Sequence, residues 1–271
     1  MNAEEIIAHL KRQYYVIIPF AISRLEVDAA IQAFFKFLNE PEDIKKHIDF
    51  TIAPQHRRGD VGYKHRNPED HIYNDSKDFF HYNPEVFNRY PEFLDNNPAV
   101  MNFMLKAKPI WEEVYISISR MLQQLDTLFP GTHEKVFGLK KGEPLHILLR
   151  FLKYDWRQST KYLAKPHFDA GSFTLAVAES CPGLRIGSCP ENLQLVNHKE
   201  GNAIFMLASN YQKVIATNDL LPGWHDVIQL DETLVGKPFA RWAMVAFIDA
   251  LGVDALTRNE THRWSLESMD Y

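Results

Sequence analysis

The sequence is poor in the features that mark a secreted, membrane-spanning or polyanion-binding protein. Its 271 residues hold two cysteines, Cys181 and Cys189, too few for a disulfide framework and, by themselves, no zinc motif. They stand eight apart in a Pro/Gly-rich stretch and could meet across a hairpin, but in a reducing compartment two free thiols are expected. No apolar run approaches the length of a transmembrane helix. The start Met1-Asn2-Ala3-Glu4-Glu5 lacks the basic residues and apolar centre of a secretion signal, so a cytoplasmic location is expected. Internal repeats, low-complexity runs and linkers are also missing. A formal net charge of −5 offers no general attraction to polyanions, which argues against nucleic-acid and membrane-surface partners. These absences leave a small-molecule partner and a monomer or weak oligomer as the expectation.

What is present suits one large barrel or sandwich. Hydrophobic residues make up 45% of the chain and aromatics 13%, enough for a substantial core. Ile6, Ile7 and Leu10 predict a helix over Ala3 to Gln13, and Tyr14 to Ile18 reads as a buried strand ended by Pro19. Ser23 caps a second helical pattern with Leu25, Ala29, Ile31, Phe34, Phe35 and Leu38, stopped near Pro41. Phe50 to Pro98 reads as irregular. A long helix follows at about Ala99 to Phe129, its apolar stripe read as core.

After Gly142-Glu143-Pro144 the chain turns to short strands separated by turn residues. The candidates are Leu145 to Tyr154, Ser172 to Ala178, Gly183 to Ile186, Leu193 to Val196, Ala203 to Leu207, Lys213 to Ala216, Asp226 to Leu230 and Ala240 to Ile248. Such spacing predicts a mainly β protein with flanking helices: a double-stranded β-helix (jelly roll) core wrapped by an N-terminal helical region. Within one domain, residues 1–142 form the mixed front, 143–250 the core and 251–271 a polar tail.

The chemistry gathers in Pro166-His167-Phe168-Asp169-Ala170-Gly171 and Pro222-Gly223-Trp224-His225-Asp226-Val227. On an extended strand, residues i and i+2 share a face, so His167 and Asp169 can bind one ion, with His225 brought in from a neighbouring strand. Two imidazoles and a carboxylate on one side of an ion leave open positions, the arrangement of non-haem Fe(II) oxygenases, although the same residues suit zinc or manganese. Arg241 lies sixteen positions after His225 in Phe239-Ala240-Arg241-Trp242-Ala243-Met244-Val245-Ala246-Phe247. A guanidinium in so apolar a strand needs an anion. Either a ligand carboxylate or a protein carboxylate such as Asp226 or Asp249 would serve.

These segments, in this order, resemble the isopenicillin N synthase-like Fe(II)/2-oxoglutarate-dependent dioxygenases over most of the chain. Arg150-Phe151-Leu152-Lys153-Tyr154 is similar to the strand before the family's metal motif. His167 to Leu175 is similar to the metal-binding strand, Gly183-Leu184-Arg185-Ile186 to its Gly-Leu-Gln-Val, and Gly201 to Gln212 to its Gly-Asp segment. Trp224-His225-Asp226-Val227 stands at its His-Arg-Val, and Gly59 to Tyr63 and Asp75 to Phe80 at its N-terminal region. The resemblance implies Fe(II) held by His167, Asp169 and His225, with 2-oxoglutarate and O2 as co-substrates. Arg241 would grip the far carboxylate of 2-oxoglutarate, and the outcome would be hydroxylation, desaturation or ring closure of a small organic substrate.

The chain departs from the family in two places. Ala243 replaces the serine that follows the arginine, and the interval from His225 to Arg241 is longer than usual. Tyr154 or Thr174 would then supply the missing hydroxyl, with Tyr154 taken as the second co-substrate residue. The alternatives are an iron oxidase of the same scaffold that does without 2-oxoglutarate, and a non-catalytic jelly-roll protein binding a metal or ligand. Three ligands rather than four argue against structural zinc. Tyr63, Lys64, Arg66, Phe79, Tyr82 and Trp224 are candidates for the pocket mouth, Arg150 for core support or ligand contact. His146, His198 and His262 read as ordinary.

Overall fold

Two capping boxes open the chain. The Asn2 side chain accepts from the Glu5 N–H while the Glu5 carboxylate accepts from the Asn2 N–H, starting α1 (Ala3–Gln13). Tyr14 then takes a left-handed φ of 67° and turns the chain into β1 (Tyr15–Pro19). Ser23 and Glu26 repeat the reciprocal cap at α2 (Arg24–Leu38). The computed structural model describes residues 1–52, 60–66, 76–139, 143–156 and 161–251. After α2 come α3 (Glu42–His47), β2 (Asp49–Thr51), β3 (Asp60–Arg66), β4 (Lys77–Tyr82), α4 (Val86–Arg89), α5 (Pro91–Asn96), α6 (Pro98–Asp126) and α7 (Glu134–Phe137). Then follow β5 (Ile147–Trp156), β6 (Tyr162–His167), β7 (Phe173–Glu179), β8 (Leu184–Gly187), β9 (Leu193–Leu195), β10 (Asn202–Leu207), β11 (Trp224–Ile228) and β12 (Lys237–Ile248).

All strand pairs among the described residues are antiparallel, in two sheets. The larger runs β1-β10-β7-β12-β5-β4-β3-β2 and the smaller β6-β11-β8-β9. Period-two alternation divides the larger sheet into faces with different tasks. Leu149 and Phe151 of β5 and Trp242 and Ala246 of β12 pack into the main core with α2 and α6. Arg150, Leu152 and Tyr154 of β5, with Arg241, Ala243, Val245 and Phe247 of β12, border the cavity on the other face. On the helix side, Phe103 is fully buried with its ring centroid 5.0 Å from that of Phe151 and 5.3 Å from those of Phe34, Phe37 and Phe80. No described helix is long and apolar enough to cross a membrane.

Several expectations are corrected. Phe50 to Pro98 is not irregular throughout: β2, β3 and β4 extend the larger sheet, and α4 and α5 follow. β4 is hard to read from sequence because Lys77 and His81 face a polar cavity while Phe80 and Tyr82 face the core, so no simple apolar alternation exists. Lys213 to Ala216 is not a strand. A short 3-10 turn covers Tyr211–Lys213, and Val214 and Ile215 are buried as a plug. β6 is a strand absent from the sequence expectations, and it ends at His167. Cys181 and Cys189, by contrast, are the two free thiols expected. The starts of the segments at Gly59 and Asp75, and the tail Asp254 to Tyr271 with His262, lie outside the described residues.

Phe103→Ala removes the ring shared by both helices and the sheet. A loss of about 3–5 kcal/mol in urea denaturation is expected. The folded variant should keep the cavity-bordering wall unaltered in its amide NMR shifts, because the cluster lies on the opposite face of β5.

Candidate metal centre

β11 pairs with β6 so that His225 lies opposite His167, and the imidazole centroids are 4.3 Å apart. β6 is an edge strand of the smaller sheet, where Pro166 costs no ladder hydrogen bond on its open side. Asp169 does not lie on the same strand as His167, contrary to the period-two expectation. It sits beyond the strand end, on the crossing from the smaller sheet to β7 of the larger one. Hydrogen bonds from the loop after β10 hold that crossing. The Asp169 carbonyl accepts from the Ser209 N–H (2.9 Å) and hydroxyl (2.8 Å). Asn210 donates from its side chain to the Ala170 carbonyl (2.7 Å) and from its backbone to that of Gly171 (3.0 Å).

The three side chains converge. His225 Nε2 is 3.4 Å from Asp169 Oδ2, His167 Nε2 is 3.7 Å from Asp169 Oδ1, and one ligand atom from each residue falls within 4.8 Å of the others. In each histidine Nδ1 faces a backbone carbonyl, that of Lys165 at 2.7 Å for His167 and that of Gly223 at 3.3 Å for His225. Donation to those carbonyls leaves both Nε2 lone pairs directed at the common point. Burial, reinforced by His225 beside it, lowers the His167 imidazole to about 4. Burial acts against the Asp169 charge, but His225, His167 and the Thr174 hydroxyl, which donates to Oδ2 at 2.7 Å, outweigh it and keep Asp169 ionised. His225 is raised, the charge of Asp169 overcoming burial. A divalent cation bridging the three groups would satisfy all of these tendencies at once.

Arg241 and Tyr154 border the same cavity, of about 80 Å³, as the triad. The two are register partners between β12 and β5. Arg241 is 2% exposed, and desolvation lowers its guanidinium to about 10. Its Nη2 contacts the carboxylate of Glu179 at the end of β7. Neither protein carboxylate anticipated from the sequence fills that role: Asp226 is fully buried and held by Arg185, whose Nε donates to it at 2.8 Å. Arg241 Nε and Nη1 are buried with no partner among the described residues. A Cβ at Gly183 would overlap both Arg241 Nη1 and the Ile228 carbonyl oxygen, so this close approach requires glycine. Thr174 cannot replace the serine missing at Ala243, since its hydroxyl is already given to Asp169.

Other expected contacts sort out by burial. Trp224 packs on Phe168 with centroids 4.3 Å apart, and Tyr82 is fully buried in the core. Tyr63 donates to Asp78 at 2.7 Å, and with Lys64 it borders a separate cleft. His198 faces the Asn202 carbonyl at 2.8 Å. Glu179, Lys77 and His81 are absent from the residues singled out in the sequence. The last two stand on the cavity face of β4, whose mixed alternation gives no simple signal.

The same architecture occurs in solved oxygenases. A full-length Neurospora crassa protein, in complex with alpha-KG and 5-formyluracil, aligns at a TM-score of 0.67 and 14% identity, over 97% of this chain and 89% of that one. The dioxygenase for auxin oxidation 1 of Arabidopsis thaliana, a complex with 2-oxoglutarate, gives 0.63 and 13% over 96% and 92%. The dioxygenase for auxin oxidation in rice gives 0.61 and 16% over 98% and 91%. The chain has the fold of these oxygenases. No family model matches it, and no curated protein does so either.

Glu179→Gln would leave Arg241 buried without a counter-charge. A loss of about 3–5 kcal/mol in chemical denaturation is expected. Replacing both partners, as in Glu179→Leu with Arg241→Met, should recover much of that loss.

Proposed function

We propose that this chain is an Fe(II)- and 2-oxoglutarate-dependent oxygenase that oxidises a small organic molecule, by hydroxylation. One observation carries the reading: a single cavity is bordered by His167, Asp169 and His225 and also by Arg241 and Tyr154. His167 Nε2, His225 Nε2 and an Asp169 oxygen would hold the iron from one side, leaving positions toward the cavity. Iron would supply the oxidising chemistry, with 2-oxoglutarate decarboxylated to succinate and one oxygen atom passing to the substrate. The protein's part is orientation and exclusion of water. The Lys165 and Gly223 carbonyls fix the imidazoles, Thr174 fixes the carboxylate, and Leu152, Ala176, Leu184 and Met206 make the surroundings apolar.

The buried donors of Arg241 suit the far carboxylate of 2-oxoglutarate, because Nε and Nη1 are left over after Glu179 is served. Tyr154, next to Arg241 across β5 and β12, would supply the hydroxyl that Ala243 lacks. The Neurospora crassa complexes with alpha-KG and thymine or 5-formyluracil, and that of the Arabidopsis dioxygenase with 2-oxoglutarate, support this co-substrate and a small substrate in the fold. The reading takes residues 1–271 as one domain, with 1–142 wrapping the jelly-roll core 143–250, which carries the metal site, and 251–271 as a tail. A second reading is favoured by Glu179 itself. A carboxylate already on Arg241 suits an iron oxidase of the same scaffold that needs no 2-oxoglutarate.

An anaerobic titration separates the two. Stoichiometric Fe(II) binding is expected, with a weak visible charge-transfer band on adding 2-oxoglutarate that disappears in Arg241→Ala. Asp169→Ala should bind no iron, and retention of iron would overturn both readings. Iron-dependent oxygen consumption with no response to 2-oxoglutarate would select the oxidase.

A further inference from the structure

The two forks of an arginine share one nitrogen. A guanidinium offers paired N–H donors along two edges, Nε with Nη2 and Nη1 with Nη2, and a carboxylate that binds through both oxygens takes one of these pairs. In Arg241 the shared nitrogen, Nη2, is the one held by the Glu179 carboxylate. Nε and Nη1 are buried without a partner among the described residues, but they lie on different edges and form no fork with each other. Each can give a single bond. A two-pronged grip on an incoming carboxylate therefore requires Nη2, and so requires Glu179 to leave it.

A side cavity, of about 70 Å³, gives the Glu179 carboxylate somewhere to go. It shares Ala178, Glu179 and His198 with the cavity of the metal centre. Arg24 of α2 and Lys199 and Glu200, ahead of β10, also border it. Arg24 is engaged, its Nε donating to Asp28 at 2.8 Å and its backbone N–H to Glu200 at 3.2 Å, while Lys199 is exposed. The Glu179 side chain is 9% exposed, and Arg241 is the one partner of its carboxylate among the described residues. No second bond there ties it to Nη2. Two carboxylates on one guanidinium in low-dielectric surroundings repel each other, whereas a carboxylate displaced toward Lys199 meets water and a cation.

We infer that Glu179 competes with 2-oxoglutarate for Arg241 and thereby sets how strongly the site prefers a dicarboxylate. With the site empty, Glu179 holds Nη2; the far carboxylate of the co-substrate takes a full fork by displacing Glu179 toward the side cavity. The inference deepens the 2-oxoglutarate reading and rests on it for the identity of the incoming ligand. Glu179 is a specificity-determining residue in this account, acting on co-substrate affinity through Arg241 and leaving metal affinity alone.

The test compares the full chain with Glu179→Gln and Glu179→Asp, each loaded with zinc, which undergoes no redox chemistry. Calorimetry gives the affinity for 2-oxoglutarate and for 2-oxopentanoate, the same chain with a methyl group in place of the far carboxylate. Removing the internal competitor is expected to raise the preference for the dicarboxylate about ten-fold in Glu179→Gln, even though that variant is the less stable when empty. Glu179→Asp, one methylene shorter, should move the ratio in the same direction and decides the matter if the glutamine variant does not fold. A ratio unchanged or lowered in the folded variants, as expected if Glu179 only supports the fold, would overturn the inference. Metal-free protein supplies an arm that needs neither metal nor a 2-oxo acid. Glutarate should raise the Tm of the variants more than that of the wild type, by replacing the missing carboxylate on Arg241, and equal shifts would count against competition. Failure of every form to take up zinc or 2-oxoglutarate counts against the co-substrate reading alone, while the glutarate shifts still decide whether Arg241 accepts another carboxylate in the place of Glu179.

Discussion

The site depends on how the chain leaves one sheet for the other. His167 and His225 are brought together by the ladder between β6 and β11, a constraint internal to the smaller sheet. Asp169 belongs to the crossing into the larger sheet, and its position is imposed by Ser209 and Asn210 through main-chain carbonyls. The three donors thus meet on a seam between two separately built surfaces. A cation there would tie the sheets together as well as serve chemistry, since a preformed three-donor site exists only once both sheets have folded.

Arg241 sets a different kind of constraint. A guanidinium at 2% exposure costs several kcal/mol unless its donors are met, yet the fold leaves two of its nitrogens without a protein partner among the described residues. A glycine makes room for it: Gly183 lies against Nη1. Glu179 offsets the charge without exhausting the donors. That combination suits a site that waits for an anion, because one internal carboxylate keeps the empty state folded while the geometry for another is retained.

The sequence disclosed the parts of the protein that follow a single period or a local rule. Ser23 announced α2, the stripe through Ile110, Val114 and Leu122 announced α6, and β12 was readable because both its faces are apolar apart from Arg241. The convergence of His167, Asp169 and His225 was legible from residue type and order, though for a partly wrong reason: the i and i+2 rule holds on a strand, and Asp169 is past its end. What stayed hidden needed knowledge of the other side of a strand. β4 alternates a polar cavity face with an aromatic core face, so its pattern resembles neither an exposed strand nor a buried one. Glu179 became identifiable as the partner of Arg241 only when β7 and β12 were paired, because 62 residues separate the two.

The placement of the cations follows from the same sheet. Lys77 pairs with Tyr154 and Tyr154 with Arg241, so one row across β4, β5 and β12 sets two positive side chains on either side of an aromatic ring. Four residues along β5, the next such row joins His81 to Arg150. Residues an even number apart on one strand share a face, so all of these groups must look into the space between the sheets. Concentrating like charges on one face is unfavourable on its own. A partner set among them offsets that repulsion, as Glu179 does for Arg241. Arg241 and Glu179 take the end of the row near β7, and Lys77 and Arg150 take the end nearer the exposed edge of His167. The geometry of three neighbouring strands thus spaces these side chains along one wall of the cavities.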